Sequence, residues 1–283
     1  MEAKYIESFY VADLWNRLNI SWENVYEDVN ILVGINGSGK TTLLNLIYDY
    51  YTGKRFKQSV ARSLDGNPIS SPVTYIRSFD IPANGKKKTE SMLLQQLKNV
   101  INQNGEGKTF FDYRMGMLNF PQKAQTIDRR IKKFFRLIDE MFCETGKVVG
   151  IDPKNNALVF YLTDNRTSIG SDKYNSVDSS EKAPGADQRK FISLDQLSSG
   201  EKQLLLILTT VFLQEETPNI LLMDEPEISL HISWQDKLIT TLRELNPNCQ
   251  LILTTHSPNI FANGWEDKLV FMEDIESPIK NEY

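Results

Sequence analysis

The residues Gly34-Ile35-Asn36-Gly37-Ser38-Gly39-Lys40-Thr41 constrain this chain more than any others. Their spacing is G-x-x-x-x-G-K-[ST], the pattern of a phosphate-binding loop. The pattern carries weight only between a strand and a helix. Here the preceding run, Val29 to Val33, is mostly apolar and β-branched, and Thr42 to Tyr51 reads as a helix. Glycines let backbone N–H groups curl around a phosphate with no Cβ in the way, and the helix N-terminus adds its positive end. Lys40 is expected to neutralise β/γ oxygens, and the Thr41 hydroxyl to face Mg²⁺. The segment from Gly34 through Asn36, Gly37, Ser38, Gly39, Lys40 and Thr41 to Thr42 is therefore read as a binding site for ATP.

Composition narrows the setting. A chain of 283 residues with 40% hydrophobic content has material for one large α/β domain carrying an insertion. Its 32 basic and 37 acidic residues give a formal net charge of −5, which argues against a uniformly cationic coat. Cys143 and Cys249 stand far apart in no metal-ligand spacing. Met1-Glu2-Ala3-Lys4 opens no signal peptide, and Leu204 to Val211 is too short to span a bilayer, so a cytoplasmic, membrane-free protein is expected.

Patterning predicts strands at residues 4–11, at Ile20 to Trp22 and at Val29 to Val33, then a polar, basic stretch over 53–71 and a strand at Val73 to Phe79. Apolar stripes predict helices over Ser91 to Asn102 and Ala124 to Phe142. Lys147 to Asp164 reads as a hairpin turning at Pro153 to Asn156, and residues 165–190 as a solvated connector. Beyond lies an alternation: strand Phe191 to Leu194, helix Ser199 to Leu213, strand Ile220 to Asp224, helix Leu230 to Leu245, then strands Gln250 to Thr255 and Lys268 to Met272. Such alternation implies a mostly parallel sheet. The expected layout is a nucleotide-binding core, residues 1–80 and 191–283, interrupted by an inserted helical and variable region at 81–190.

A second apolar strand ends in acids, Leu222-Met223-Asp224-Glu225-Pro226, the Walker B arrangement. Ligands of a parallel sheet sit beyond the carboxyl ends of its strands. Asp224 is expected to hold Mg²⁺, and Glu225 to orient and deprotonate an attacking water. Leu197-Ser198-Ser199-Gly200-Glu201-Lys202-Gln203 then opens a helix. It resembles the LSGGQ signature of ABC-type ATPases, with Ser199 in place of the first glycine and Glu201 in place of the glutamine. The chain's two histidines fall in Thr254-Thr255-His256-Ser257-Pro258, similar to that family's switch histidine, and at His231, in a segment resembling its D-loop. His231 is equally read as a structural residue.

The forms DEPEISLH, LSSGEKQ and TTHSP resemble the RecF/OLD/SMC-like branch, which includes ATPase subunits of antiphage defence systems of Septu and retron type. The resemblance covers residues 25–50 and 190–275. It implies a P-loop NTPase fold of ABC-ATPase type, with an antiparallel N-terminal part and an inserted lobe. It further implies a homodimer with ATP at its interface, in which Ser198, Ser199, Gly200 and Glu201 of one subunit complete the site of the other. Catalysis would rest on Lys40, Glu225 and His256, with Thr41 and Asp224 at the metal. A separate effector, a nuclease or toxin, is the implied partner, and nucleic acid a further one. The chain departs from the branch in having an insertion too short for a long coiled coil and no glutamine directly after the strand Val73 to Phe79 to mark a Q-loop, and the TOPRIM nuclease domain of OLD proteins is not expected. The alternative is the energising subunit of a membrane transporter, which typically reads DEPTSALD. Phe9, Tyr10 and Trp22 are candidates to stack on adenine. Arg129, Lys132, Lys133 and Arg136 form a basic helical stripe, and Lys86-Lys87-Lys88 and Lys54-Arg55-Lys57 form basic clusters. These are read as a phosphate-backbone surface or as solvated faces.

Overall fold

The computed structural model describes residues 2–77, 91–102, 108–152, 157–162 and 191–279. In chain order these form β1 (Phe9–Leu14), β2 (Leu18–Trp22), β3 (Val29–Val33), α1 (Lys40–Tyr51), β4 (Ser63–Gly66), β5 (Val73–Ile76), α2 (Met92–Ile101), α3 (Phe110–Asn119), α4 (Ala124–Phe142), β6 (Lys147–Ile151), β7 (Leu158–Leu162) and β8 (Phe191–Ile192). There follow α5 (Ser199–Leu213), β9 (Asn219–Asp224), α6 (Ile232–Leu245), β10 (Cys249–Thr254), β11 (Leu269–Phe271), α7 (Met272–Ile275) and β12 (Glu276–Pro278). The chain divides into two compact units, Met1–Asp80 with Gln214–Tyr283, and Ile81–Leu213.

The first unit is built on a parallel sheet of order β11-β3-β10-β9-β5. Every residue of β9 and β10 is buried, which is why both read as continuous apolar runs rather than alternating ones. Leu43, Leu44, Leu46 and Ile47 on α1 join Leu32, Ile220, Leu222 and Ile252 of the strands in one apolar core. A second, antiparallel sheet runs β12-β2-β1-β4. The N-terminal strand begins later than residues 4–11 suggest. Residues ahead of it run as a connection, in which the Gln250 side chain bonds both the N–H and the carbonyl of Ile6 and so satisfies that backbone without a ladder. β4 lies inside the stretch expected to be polar loop, and exists through its pairing with β1.

In the second unit α2, α3 and α4 surround α5. α5 is apolar on nearly every side and correspondingly buried. Phe110, Tyr113, Phe134, Phe135 and Phe212 form an aromatic cluster among these helices. The antiparallel sheet β6-β7-β8 packs on α4, and buried Asp139 accepts a hydrogen bond from Val149 N at 2.7 Å. Phe191–Leu213, expected in the nucleotide-binding core, clusters instead with this unit, because α5 packs against its helices. α3 was not anticipated; a capping box between Thr109 and Asp112 starts it. The turn at 153–156, the connector at 165–190 and Lys86-Lys87-Lys88 lie outside the described residues. No described helix is long and apolar enough to cross a membrane.

Candidate functional site

Three neighbouring strands of the parallel sheet, β3, β10 and β9, end along one edge and deliver the loop, His256 and the two acids respectively. After β3 the loop needs Gly37 at φ +83° and Gly39 at φ +99°. Gly39 is doubly required: a Cβ there would fall 3.1 Å from Cη2 of Trp15. That left-handed turn launches α1 with its first N–H groups facing the cleft. Lys40 is almost wholly buried, and its Nζ donates to the carbonyl oxygens of Gly34 at 2.9 Å and Ile35 at 3.1 Å. Burial pushes the Lys40 pKa below its ordinary value, against the opposing pull of Glu225, Asp224 and Glu227.

The register of β9 with β10 sets Thr254 opposite Asp224. Asp224 Oδ1 accepts from Thr254 Oγ1 at 2.7 Å and from Thr41 Oγ1 at 3.0 Å. The two oxygens expected at a metal, from α1 and from β9, are thus adjacent. Among the described residues no group of three or more His, Cys, Asp or Glu side chains could hold a metal by itself. A hydroxyl and one carboxylate suit Mg²⁺, which keeps several waters and completes its shell with phosphate oxygens.

Glu225 follows in a left-handed conformation, φ 46°, with its N–H shared between the Thr254 hydroxyl at 3.0 Å and the Thr254 carbonyl at 3.2 Å. A non-glycine residue held there costs about 1–2 kcal/mol. Burial, followed by the charge of Asp224, raises the Glu225 carboxyl above its ordinary pKa, while His256 and Lys40 act the other way. His256 Nε2 stands 3.6 Å from Glu225 Oε1. Asn36, Gly37, Gly39, Lys40, Thr41 and Thr42 line a cleft of about 210 Å³ together with Glu225, His256 and Trp15.

Two residues of this site escaped the sequence reading. Glu227 Oε1 accepts from the Thr255 hydroxyl at 2.7 Å and from His256 N at 2.8 Å, so it fixes the backbone that carries His256. Trp15, in the turn between β1 and β2, supplies an aromatic wall of the cleft. Of the aromatic candidates, Phe9 and Trp22 are buried in the core and unavailable, and Tyr10 is half-buried on β1. His231 caps α6, its Nδ1 2.8 Å from Ser233 Oγ and accepting from Ser233 N at 3.4 Å.

The signature residues belong to the second unit. Ser198 and Ser199 are exposed at the start of α5, with Gly200 buried behind them. Glu201 turns inward: Oε2 accepts from Ser198 N at 2.8 Å, Glu201 N donates to Ser198 Oγ at 3.2 Å, and Oε1 meets Lys147 Nζ at 2.6 Å. A carboxylate with both oxygens engaged and 3% side-chain exposure is not available to a nucleotide, so the expected contact from Glu201 falls away and those from Ser198 and Ser199 stay open. The basic stripe on α4 is partly neutralised along its own helix, by Lys132–Asp128 at 2.9 Å and Arg136–Glu140 at 2.8 Å.

Comparison with known proteins bears on the fold and its relatives. Residues 147–262 match the family described as "AAA domain, putative AbiEii toxin, Type IV TA system". The chain is 22% identical over 294 residues to the Septu protein PtuA of Bacillus thuringiensis, covering 87% of this chain and 70% of that one. It is 30% identical over 100 residues to the Retron Vc95 probable ATPase of Vibrio cholerae serotype O1 biovar El Tor, covering 31% of this chain and 20% of the relative. A crystal structure of an SMC head bound to the C-winged helix domain of ScpA superposes with a TM-score of 0.55 at 13% identity, covering 97% of each chain. The chain has a P-loop NTPase fold like that of the SMC head, and its sequence relatives include the Septu protein PtuA and probable ATPases of retrons.

Proposed function

We propose that this chain, on the premise of its ABC-ATPase fold, binds ATP with Mg²⁺ and hydrolyses it at the interface of two copies, and that the cycle gates a separate effector in a defence complex. One observation carries the chemistry: Thr41 and Asp224 meet at 3.0 Å beside the buried Lys40 and the strained Glu225. Lys40 and the α1 N-terminus neutralise phosphate charge. Glu225, whose raised pKa makes it a better base than an ordinary carboxylate, accepts a proton from the attacking water. His256, steadied by Glu227, reaches toward the same point. Bound Mg²⁺ would supply charge neutralisation at the β/γ oxygens. Ser198 and Ser199 of a second copy, exposed at a helix N-terminus, suit the γ-phosphate from the opposite side.

The role in a defence complex rests on the Septu and retron relatives, and a partner protein on the winged-helix domain bound to the SMC head. Size-exclusion chromatography with light scattering tests the dimer. Glu225→Gln with ATP and Mg²⁺ is expected to accumulate a species of twice the monomer mass, and Lys40→Ala to stay monomeric with about 100-fold weaker ATP binding. A monomer throughout for Glu225→Gln at saturating ATP overturns the shared site.

A further inference from the structure

The shortest side-chain contact made by Glu201 comes from a residue 54 positions upstream in the sequence. Lys147 opens β6, in the antiparallel sheet of the second unit, and its Nζ is 2.6 Å from Glu201 Oε1. Glu201 is buried and Lys147 mostly so: side-chain exposure is 3% for Glu201 and 16% for Lys147. The other Glu201 oxygen caps the first turn of α5 through Ser198 N. One carboxylate therefore ties three things together: the first strand of a sheet, the start of a helix, and the backbone of the exposed serine expected to meet nucleotide. Burial alone would drive the Glu201 carboxyl up, yet Lys147 and the Ser198 N–H outweigh it and hold its pKa below the ordinary value. The carboxylate stays charged in a place that would otherwise neutralise it.

We infer that Lys147 is a positioning residue of the ATPase site: acting through Glu201, it fixes the Ser198–Ser199 turn in the geometry that a partner subunit's nucleotide requires. The inference rests on the shared-site reading above and deepens it, by giving β6 control of the signature. Removing Lys147 leaves a buried carboxylate with no counter-charge, held by Ser198 alone, and a charge so placed pulls toward solvent and takes the turn with it. The P-loop cleft contains neither residue, so ATP binding by a single copy does not depend on the pair.

The test compares wild type with Lys147→Met, Lys147→Arg and the double variant Lys147→Met/Glu201→Gln. Each is checked for folding by circular dichroism, for ATP affinity by titration under monomeric conditions, and for turnover and ATP-driven dimerisation. Lys147→Met is expected to bind ATP as wild type does and to lose about tenfold in turnover, with weaker dimerisation. Lys147→Arg keeps the charge and recovers most of the turnover. The double variant also recovers, because a glutamine keeps the cap on Ser198 N and needs no counter-charge. Turnover of Lys147→Met equal to wild type, or an equal loss when Glu201 is already glutamine, overturns the inference. If Lys147→Met does not fold, the double variant decides alone: wild-type-like turnover supports the coupling, and a tenfold loss refutes it. Absence of ATP turnover in wild type would count against the shared site itself, an outcome separate from these.

Discussion

Two glutamates in this molecule lie beside a lysine at the end of a secondary-structure element, and their environments push them in opposite directions. Glu201, at the start of α5, has both oxygens paired and a pKa below its ordinary value. Glu225, just past β9, faces Asp224 and Glu227 as well as Lys40 and His256; its pKa is raised and its backbone is strained. The first is a fastening, its carboxylate favoured in the charged form and paired at both oxygens. The second is poised, with a proton affinity set by burial and a like charge. Burial of a carboxylate by itself says nothing about role; how completely its lone pairs are met does.

The largest effect that tests this contrast is at Glu225. Glu225→Gln is expected to cut turnover by about 10²–10⁴-fold, the span of a lost general base. It should not lower stability, unlike the loss of Lys147. The sign follows from the raised pKa. In the folded state Glu225 holds its proton to a higher pH than in the unfolded chain, so its favourable contribution is complete below the ordinary carboxylate pKa and is lost as pH rises through the folded value. Thermal melts should therefore show Glu225→Gln at or above wild type at pH 7, with the gap closing toward pH about 4. Turnover runs the other way: wild-type kcat falls as pH drops through the raised value, and the residual rate of Glu225→Gln lacks that limb. A variant that melts well below wild type at pH 7 would place Glu225 with Glu201 among the fastenings.

How much of this was legible in the chain follows the range of each interaction. The phosphate loop, the Walker B acids and His256 are written as contiguous patterns, because each is one strand and the few residues after it. The helices of Ala124–Phe142 and Ser199–Leu213 were equally plain from their apolar spacing and run. β4 was hidden, since Ser63-Leu64-Asp65-Gly66 has no strand composition and forms by pairing to β1. α3 was hidden by Gly116 and a weak stripe, although Thr109 and Asp112 offered a capping signal that could have found it. Trp15, Glu227 and Lys147 matter through partners that only tertiary register supplies. For Glu227, its position two residues after Glu225 was the available hint.

A middle-sized effect separates pinning from catalysis. Glu227 holds the Thr255 hydroxyl and the His256 N–H, and hydrogen bonds to a charged group contribute about 1.5–3 kcal/mol each. Glu227→Ala should lower kcat by about tenfold with little change in KM, as His256 loses its register against the reacting phosphate. Glu227→Gln retains the acceptor oxygen and should stay within about threefold of wild type. Steady-state kinetics on the two variants decides whether the acceptor or the charge matters, and equal losses would point to the charge.

The smallest effect concerns the wall of the cleft. Trp15 sits at φ 54° in a turn where Asp13 and Asn16 are also left-handed, so its ring is presented by a turn held in place from both sides. It both lines the cleft and packs against Gly39, and these two jobs predict different losses. Stacking on a nucleobase is worth about 1–3 kcal/mol, so at the low end of that span Trp15→Ala should weaken ATP about fivefold and Trp15→Phe only about twofold. Inorganic tripolyphosphate has no base and should bind the alanine variant as it binds wild type. If its affinity falls alongside that of ATP, the ring acts by buttressing the left-handed turn at Gly39, and the stacking partner for the base lies elsewhere. Calorimetric titration with the two ligands separates the alternatives, because only the buttress is shared between them.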